Sequence, residues 1–586
     1  MLPGLDKSRP KECRRSSLDA YTARVRPEDE RAVVLGYHHT STHRVDRFAS
    51  GPGYLDWANQ PDPFRTYEGA TVVALPLADE RVSPSWDALH RPGAAVPRAL
   101  DHASLGAFLE LALGLTAWKQ AGRARWALRA NPSSGNLHPT EGYVLVSGAP
   151  GVPAGLYHYS SRDHVLERRW TPGPSDPAAA SRGLPQGGFL FGLSSVHWRE
   201  AWKYGVRAFR YCQHDAGHAL AAARYAAGVL GWVARLLETP GDADVAALLG
   251  LDREQDFGQL ASFDREHPDA LVLVAPPEGV EDQSRRVEAA LDALVSLLRG
   301  GEWSGRPNRL SPEHVEWPEI EAVAEATRKP RTRASASGDE SRVGGLGADE
   351  PPGGQGDLRV TAVQLIRQRR SAVAMDGTTA LSSAAFLAML DRLRPRPGVP
   401  PWDMLPWTPR VHPVLFLHRV EGFAPGLYLL ERRAEVHETL RAALRPSFRW
   451  ERPAVSPPEL RLYLLEEKDA RSFARLASCH QEIASDSAFS LGMLAELGSL
   501  AEAPWLYRRL FWETGVLGQV LYLEAEASGV RSTGIGCYFD EVVHELLGLG
   551  SAAFRDLYHF TVGGAVEDTR LTTLPAYPDA VHARSR

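Results

Sequence analysis

The chain has 586 residues, too many for a single hydrophobic core, so its length predicts two or more domains. Hydrophobic residues make up 44% and charged residues 24% of the sequence, which is typical of a globular protein. A formal net charge of −6 argues against nucleic-acid binding, and the lack of any run of about 20 apolar residues argues against a membrane span.

The cysteines and the N-terminus indicate a reducing compartment. Cys13, Cys212, Cys479 and Cys537 are far apart and form no CxxC pair, so neither a disulfide framework nor a zinc site is expected. The opening segment, MLPGLDKSRPKECRRSS, carries charge and lacks the apolar stretch of a secretory signal. We therefore expect a cytoplasmic protein.

The first motif in chain order is YHHTSTH, at 37–43. Its histidines His38, His39 and His43 could ligate a metal, but no carboxylate or cysteine is spaced to complete the site, so no metal is expected. A segment with helical apolar spacing follows, LGAFLELALGLTAW, at 105–118.

Two later stretches carry polar residues in patterns that bear on function. RANPSSGNLHPTEGYVLV, at 129–146, is compatible with a plain turn before a strand or with a loop whose small residues let backbone amides approach a ligand. WKYG, at 202–205, places Lys203 beside Tyr204. Taken alone, this pair indicates a surface lysine next to a half-buried tyrosine that packs against neighbouring residues.

The two halves of the chain repeat one pattern. Each half has an Arg, an acidic residue five positions later and a Gly sixteen positions after that: Arg210, Asp215 and Gly231 in the first half, and Arg508, Glu513 and Gly529 in the second. Both stretches have helical spacing and end at a Gly suited to a helix C-terminus. An LLGL segment and an apolar strand follow each of them, at 248–251 and 270–275, then at 546–549 and 557–563.

This repeat predicts a tandem α+β protein. GLYHYSSRDHVLERR at 155–169 matches GLYLLERRAEVHETLR at 426–441, and a second amphipathic helix is expected at 382–393. Covalent linkage raises the effective concentration of the second copy, so we expect an intrachain pseudo-dimer. The domains are expected at 1–310 and 357–586, joined by a flexible linker at 311–356 that is rich in Gly, Pro and charge and includes the basic RKPRTR.

The motifs together resemble those of the nitroreductase superfamily. RANPSSGNLHPTEGYVLV, GLYHY and WREAWKYGVRAFRYCQHDAGHA are most similar to the SagB/ThcOx-type dehydrogenases, which oxidise azoline rings in modified peptides. IRQRRSAVAMDG, at 366–377, resembles the basic opening of nitroreductases, and STGIGCYFDEVVHELLG, at 532–548, their late flavin-contacting segment. The resemblance covers most of the chain outside the first 90 residues and the linker, and it implies an α+β fold of two fused nitroreductase-like, FMN-binding domains.

In that family FMN lies at a two-fold interface between subunits. Here the sequence elements that bind it are divided between the two halves of the chain. The first half has the Pro-Ser-Ser loop but lacks the Arg-Arg-Ser opening, whereas the second has the opening but PWTPR before its strand HPVLFLHRV. We therefore expect one complete FMN site and one degenerate site. The residues expected to bind FMN are Arg129, Pro132, Ser133, Ser134, Gly135 and Asn136 from the first half, and Arg369, Arg370, Ser371, Gly534, Ile535, Gly536 and Arg570 from the second.

The residue types suit these roles. Arg recognises phosphate through paired hydrogen bonds, and the amide of Asn136 could contact a flavin carbonyl. Val373 stands where the family usually has a second basic residue, so Arg570 is the candidate to supply the missing charge.

The resemblance also places Lys203 and Tyr204 at the flavin as the catalytic pair. Hydride removal from carbon requires a base for the companion proton, and neither side chain is a good base at an ordinary pKa of about 10. Burial and a neighbouring cation are expected to lower the pKa.

The predicted function is FMN-dependent oxidation of a C–N bond or azoline-like heterocycle in a peptide, alongside peptide-modifying partner enzymes. Two alternatives stay open: an NAD(P)H-dependent reductase of nitro or quinone compounds, and a non-catalytic scaffold subunit. The sequence has no G-x-G-x-x-G fingerprint, which disfavours a Rossmann site without excluding a nicotinamide donor.

Overall fold

The computed structural model describes residues 27–91, 93, 95–173, 183–258, 264–333, 360–550 and 553–578. Its helices are α1 (Pro27–Thr40), α2 (His102–Leu113), α3 (His197–Tyr204), α4 (Ala208–Val229), α5 (Asp242–Leu249), α6 (Glu254–Phe257), α7 (Val280–Ala289), α8 (Leu291–Arg299), α9 (Pro318–Ala326), α10 (Ala362–Gln368), α11 (Ser383–Arg392), α12 (His437–Ala443), α13 (Arg471–Ala477), α14 (Glu482–Asp486), α15 (Leu506–Ala527) and α16 (Asp540–Leu547). None of the helices in these ranges has the length and apolar character needed to cross a membrane.

The strands are β1 (Tyr67–Glu68), β2 (Thr71–Ala74), β3 (Leu115–Ala121), β4 (Ala124–Arg129), β5 (Thr140–Val146), β6 (Gly155–Ser160), β7 (Val165–Thr171), β8 (Phe189–Ser195), β9 (Val233–Leu236), β10 (His267–Ala275), β11 (Glu302–Trp303), β12 (Arg306–Pro307), β13 (Val411–Leu417), β14 (Gly426–Leu430), β15 (Leu462–Glu467), β16 (Phe489–Glu496), β17 (Arg531–Ile535), β18 (Phe554–Gly563) and β19 (Thr572–Leu574).

Each half contains one antiparallel sheet with the same central order. The first sheet runs β11-β7-β6-β5-β8-β10-β9, with β2 also on β7, and the second runs β15-β14-β13-β16-β18-β17. The strands β6, β5, β8, β10 and β9 thus correspond to β14, β13, β16, β18 and β17. The predicted α+β fold of two fused domains is confirmed.

The two long helices of the repeat, α4 and α15, form the centre of the pseudo-dimer. They cross at Gly217 and Gly515, which occupy equivalent positions in the repeat. A Cβ on Gly217 would overlap the carbonyl oxygen of Trp512, and one on Gly515 would overlap that of His214. The two backbones therefore touch, and one continuous hydrophobic cluster runs through both halves.

The repeated arginines act across this interface. Arg508 of the second half donates to Asp242, the first residue of α5, at 2.6 Å, and Arg210 of the first half pairs with Asp540, the first residue of α16. All four side chains are buried. Removing one partner of such a buried pair typically costs about 3–5 kcal/mol, because the other charge is left uncompensated.

The ends of the helices follow the sequence pattern with one exception. Gly231 and Gly529, expected at the ends of the repeated helices, adopt left-handed φ angles of 71° and 73° just after α4 and α15. The helix expected at 105–118 was wrong beyond Leu113: the amide of Gly114 closes α2 on the carbonyls of Leu109 and Glu110, and the chain continues as β3. The strand β3 pairs with β4 and with the C-terminal β19.

Part of the expected linker is ordered against the first half. Helix α9 packs on α1 and α4, and Lys329 donates to the carbonyls of Glu238 (2.5 Å) and Pro240 (2.9 Å). Residues 334–356 lie outside the described residues. We propose accordingly that the first domain extends to residue 333 and that the linker begins after it.

Candidate functional site

A cavity of about 400 Å³ lies between the two halves. This volume is within the range of small-molecule sites in proteins. The predicted site residues that line it are Arg129, Pro132, Ser133, Ser134, Gly135, Asn136, Tyr204, Arg369, Arg370, Ser371, Gly534, Ile535 and Gly536. The structure therefore brings segments that are far apart in the sequence to one place.

The Pro-Ser-Ser loop after β4 is hydrogen-bonded to α4. The carboxylate of Asp215 accepts hydrogen bonds from the backbone amide of Ser134 at 3.3 Å and from its hydroxyl at 3.4 Å. Gly135 and Asn136 have left-handed φ angles of 62° and 58°. This conformation favours glycine and asparagine, so the local sequence accounts for the shape of the loop.

Gly135 also makes room for the predicted catalytic pair. A Cβ at this position would lie 2.6 Å from the Tyr204 hydroxyl and 2.9 Å from the Lys203 ammonium. The Lys203 nitrogen lies 5.2 Å from the centroid of the Tyr204 ring. The loop and the WKYG segment, about 70 residues apart in the chain, are thus in contact.

The expected lowering of the Tyr204 pKa was wrong. Burial raises the pKa of this phenol well above 10, and the nearby carboxyl groups of Glu200 and Asp215 raise it further. The hydroxyl is therefore a proton donor at neutral pH and not a ready base.

The sequence did not identify Glu200 as a site residue. It is fully buried one helical turn before Tyr204, and burial together with the charge of Asp215 raises its pKa. The spacing of Glu200, Lys203 and Tyr204 on α3, at i, i+3 and i+4, is the signal that could have found it.

The buried carboxyl of Asp215 gives a testable pH dependence. Burial raises its pKa from 3.8 to about 7, although hydrogen bonds from Ser133 and Ser134 oppose the shift. Between these values the folded chain keeps a proton that the unfolded chain has lost, so the stability contributed by this group falls as the pH rises. Relative to Asp215→Asn, the wild-type free energy of unfolding should fall as the pH rises from about 5 to 7, by at most about 1.4 kcal/mol per pH unit, the slope for one proton. Denaturant titrations of flavin-free protein measure this difference, and a pH-independent difference would contradict the assignment.

Arginines gather at the other end of the cavity. Arg369 follows α10 and donates to the Arg129 carbonyl at 2.8 Å, while Arg370 donates to the Thr116 hydroxyl at 3.2 Å. In the described part of the chain, no carboxylate forms an ion pair with either guanidinium. Burial lowers both pKa values, that of Arg370 to about 10, and the charge of Arg531 lowers them further. Such a cluster favours an anion, and a phosphate matches its geometry.

Arg570 does not join this cluster, so its expected role was wrong. Its side chain is 87% exposed and pairs with Asp568 at 2.8 Å. Arg531, at the start of β17, lines the cavity instead. Arg570 lies seven residues after Gly563 at the end of β18, but this spacing does not show where the chain runs after the strand.

Small residues of β17 and the segment after it form another wall. A Cβ on Gly534 would overlap the hydroxyl of Tyr558, and one on Gly536 would lie 2.5 Å from the ring of Tyr211. The hydroxyl of Tyr522 accepts from the amide of Gly534 at 2.9 Å and from the hydroxyl of Ser371 at 3.0 Å. Glycine is therefore required where aromatic side chains meet the backbone.

The polar atoms of the cavity fit a flavin mononucleotide. Arg129 Nε and Arg369 Nε belong to cavity-lining residues, are buried and have no hydrogen-bond partner in the structure. Unpaired buried donors are costly unless a ligand satisfies them. Phosphate and ring carbonyl oxygens are acceptors of the kind that these donors need.

The equivalent place on the other side of the pseudo-dimer is nearly filled. Its cavity is about 20 Å³, enough for a water molecule. In the register of the repeat, Leu236 stands where the complete site has Gly534, and Trp512 and Arg509 occupy space. Glu513, the counterpart of Asp215, accepts from the amide of Val411 at 3.2 Å and pairs with Arg432.

The histidine motif near the N-terminus takes part in packing. His38 Nδ1 lies 3.0 Å from the Tyr507 hydroxyl, and Arg210 donates to the His38 carbonyl at 2.9 Å. His43 Nδ1 accepts from the amide of Ala49 at 2.9 Å. His38, His39 and His43 do not converge on a common point.

Comparisons with known proteins identify the fold. No family model matches the chain. The crystal structure of a nitroreductase candidate from Anabaena variabilis covers 91% of this chain and 99% of its own, with a TM-score of 0.62 and 22% sequence identity. A nitroreductase candidate from Ralstonia eutropha and the Escherichia coli microcin synthetase McbBCD complex, solved with truncated pro-MccB17, each give a TM-score of 0.24 at 17% identity, over 36% and 44% of this chain and 94% and 97% of theirs.

One curated relative matches by sequence. The trifolitoxin-processing protein TfxB of Rhizobium leguminosarum bv. trifolii is 37% identical over 112 residues, which is 18% of this chain and 30% of that protein. The chain therefore matches less than a third of its relative's length.

The protein has the nitroreductase fold. More particularly, it is a single chain that joins two copies of that fold into a pseudo-dimer, so the fold implied by the motifs is confirmed.

Proposed function

We propose that the chain binds one FMN in the cavity between its halves and oxidises a C–N bond or azoline-like ring of a peptide or peptide-derived substrate. The observation that carries this proposal is the cavity itself. It combines Arg369 and Arg370, whose guanidiniums form no ion pair with a carboxylate of the described residues, with a glycine-rich wall and Tyr204, and Lys203 contacts the loop at Gly135.

Several side chains would hold the cofactor. Arg369 and Arg370 offer guanidinium groups to a phosphate, and the Pro-Ser-Ser loop offers backbone amides and the Asn136 side chain. FMN, when bound, supplies an acceptor for a hydride from carbon. The aromatic ring of Tyr204, packed against Tyr211 with centroids 4.6 Å apart, shapes the wall beside the loop.

The protein's own groups manage the proton that accompanies the hydride. The Tyr204 hydroxyl is protonated, so it can take up a substrate proton only as it passes its own to a neighbour. The ionised form of Glu200, which its raised pKa makes a stronger base, is the acceptor for that proton, and the Lys203 side chain lies beside the same ring. Glu200 is fully buried, which keeps this proton out of bulk water.

A peptide substrate is supported by two likenesses. The motifs resemble those of azoline oxidases, and a matched relative is named for the processing of a toxin. This assignment also implies partner enzymes that prepare the peptide before oxidation.

The proposal predicts one flavin per chain. Protein purified in the presence of FMN should be yellow and should release close to one equivalent on heating, because the second cavity of about 20 Å³ cannot admit the cofactor. Flavin absorbance against protein concentration gives the ratio. A colourless protein after incubation with FMN would overturn the proposal, and rapid bleaching of the flavin by NAD(P)H would instead favour a nitro or quinone reductase.

Two arginine variants provide the matched control for this measurement. Arg369→Ala removes a buried charged donor and should weaken FMN binding by about 10- to 150-fold, as for loss of a charged hydrogen bond of about 1.5–3 kcal/mol. Arg570→Ala removes an exposed charge that does not line the cavity, although its partner Asp568 does, so it should change affinity far less than Arg369→Ala. Equal losses in both variants would point to general electrostatics instead of a phosphate site.

A further inference from the structure

Two cysteines of the second half meet a histidine of the first at the rim of the cavity. Cys537 follows β17 and lines the cavity, and Cys479 lies in the turn after α13. The Cys479 and Cys537 side chains lie close enough for each to shift the pKa of the other, and His43 also acts on Cys537. The backbone brings the two segments together, because the amide of Phe539 donates to the carbonyl of Ala477 at 2.8 Å. Both cysteines are free thiols in the structure.

The turn that carries Cys479 is fixed against Cys537 by the backbone. The side-chain amide of Gln481 donates to the carbonyls of Ser478 and Cys537, each at 2.9 Å. Cys479 and His480 have φ angles of 52° and 60°, a left-handed pair in residues that rarely adopt it. Such a conformation persists only where the surroundings impose it, so the backbone at Cys479 is held in place.

The surroundings make the two sulfurs chemically unequal. The pKa of Cys537 is lowered to about 5, first by the hydrogen bond from Cys479 and then by His43, with burial opposing the shift. Because His43 Nδ1 accepts from the amide of Ala49, the neutral ring carries its proton on Nε2. The pKa of Cys479 is raised by the same thiol contact and by burial. A thiolate next to a thiol is the arrangement that disulfide exchange requires.

Metal binding does not account for this cluster. Among the residues that the structure describes, the one group of His, Cys and carboxylate side chains with mutually close ligand atoms is His197, His267 and Glu321. The two sulfurs and His43 do not form such a group, so the pair suits thiol redox chemistry better than metal binding.

We propose that Cys479 and Cys537 form a redox-active pair that cycles between dithiol and disulfide and exchanges two electrons with the flavin of the neighbouring cavity. The inference rests on the proposed flavin site. With two electrons and one proton from reduced flavin, the S–S bond would break, Cys537 would leave as a thiolate and Cys479 would take the proton. An external disulfide then oxidises the pair by thiol–disulfide exchange and leaves as two thiols, so the final electron acceptor is a disulfide.

The first arm of the test needs no flavin. Full-length protein with Cys13→Ser, which removes a cysteine outside the described residues, is equilibrated without oxygen in glutathione buffers of increasing oxidation, then alkylated and mapped by mass spectrometry. The expected result is a Cys479–Cys537 disulfide in oxidising buffers and two alkylated thiols in reducing ones, while buried Cys212 stays a thiol throughout. Free thiols or glutathione adducts at both cysteines in every buffer would overturn the proposal.

The second arm couples the pair to the cofactor. FMN-loaded disulfide protein receives one equivalent of dithionite per flavin without oxygen, and the absorbance of oxidised flavin is followed. Recovery of that absorbance with the appearance of two thiols per chain is expected, and Cys479→Ser should abolish it. Flavin that stays reduced beside an intact disulfide would overturn the electron transfer. Failure to bind FMN would count against the proposed function and leave the first arm to decide the disulfide.

Discussion

Tyr204→Phe is expected to slow reduction of the flavin by substrate by about 10²- to 10⁴-fold, the usual share of general acid–base catalysis. The substitution keeps the ring, its edge contact with Tyr211 and the space beside Gly135, and it removes the hydroxyl alone. Flavin content and thermal stability should therefore barely change. Anaerobic stopped-flow absorbance with a synthetic thiazoline-containing peptide as the probe measures the rate.

Tyr211→Phe is the matched control for this variant. Tyr211 also lines the cavity, but its hydroxyl is engaged with the carbonyl of Gly536 at 3.0 Å. Its loss should leave most of the rate intact. Lys203→Ala should slow flavin reduction about as much as Tyr204→Phe. If the pair acts as a unit, the double variant should be slowed far less than the product of the two single fold-reductions in rate. Wild-type reduction rates in Tyr204→Phe would return both residues to a structural role.

Gly534→Leu is expected to abolish flavin binding in a protein that still folds. The change installs in the complete site the residue that Leu236 supplies in the filled one. Its side chain would occupy the space of the Tyr558 hydroxyl and displace it into the cavity. Flavin content after incubation with FMN should fall to background, while circular dichroism stays near that of the wild type.

The reciprocal change separates cavity space from binding chemistry. Leu236→Gly opens room at the second position, but Trp512, Arg509 and the ion pair of Glu513 with Arg432 remain. It should leave the flavin content at one per chain. Full flavin content in Gly534→Leu would show that this wall does not contact the cofactor.

The sequence predicted the fold and the composition of the cavity because both depend on local motifs. The repeated Arg, acid and Gly positions defined two helices, and the divided motifs predicted that segments near residues 134, 369 and 534 would meet. The structure places these segments around one cavity. What FMN and substrate do there stays a prediction.

The errors arose where three-dimensional surroundings decide. The Tyr204 pKa depends on burial, on Glu200 one helical turn earlier, and on Asp215, which the packing of α3 against α4 brings near it. Arg531 was overlooked and Arg570 chosen because the path of the chain after β18 follows no local pattern. The thiol contact between Cys479 and Cys537 joins residues of separate elements, so cysteine spacing could not reveal it.

The two halves that meet at the glycine crossing of α4 and α15 belong to one chain, and this affects how the site responds to dilution of the protein. A cofactor site shared by two separate subunits falls apart when protein concentration drops below the dissociation constant of the dimer. Here both walls belong to one polypeptide, so the integrity of the site is independent of protein concentration, and subunit exchange cannot produce mixed species. In a homodimer every substitution appears in both subunits. In the fused chain the two copies can change independently, so one copy can lose its own pocket and still form a wall of the other copy's pocket.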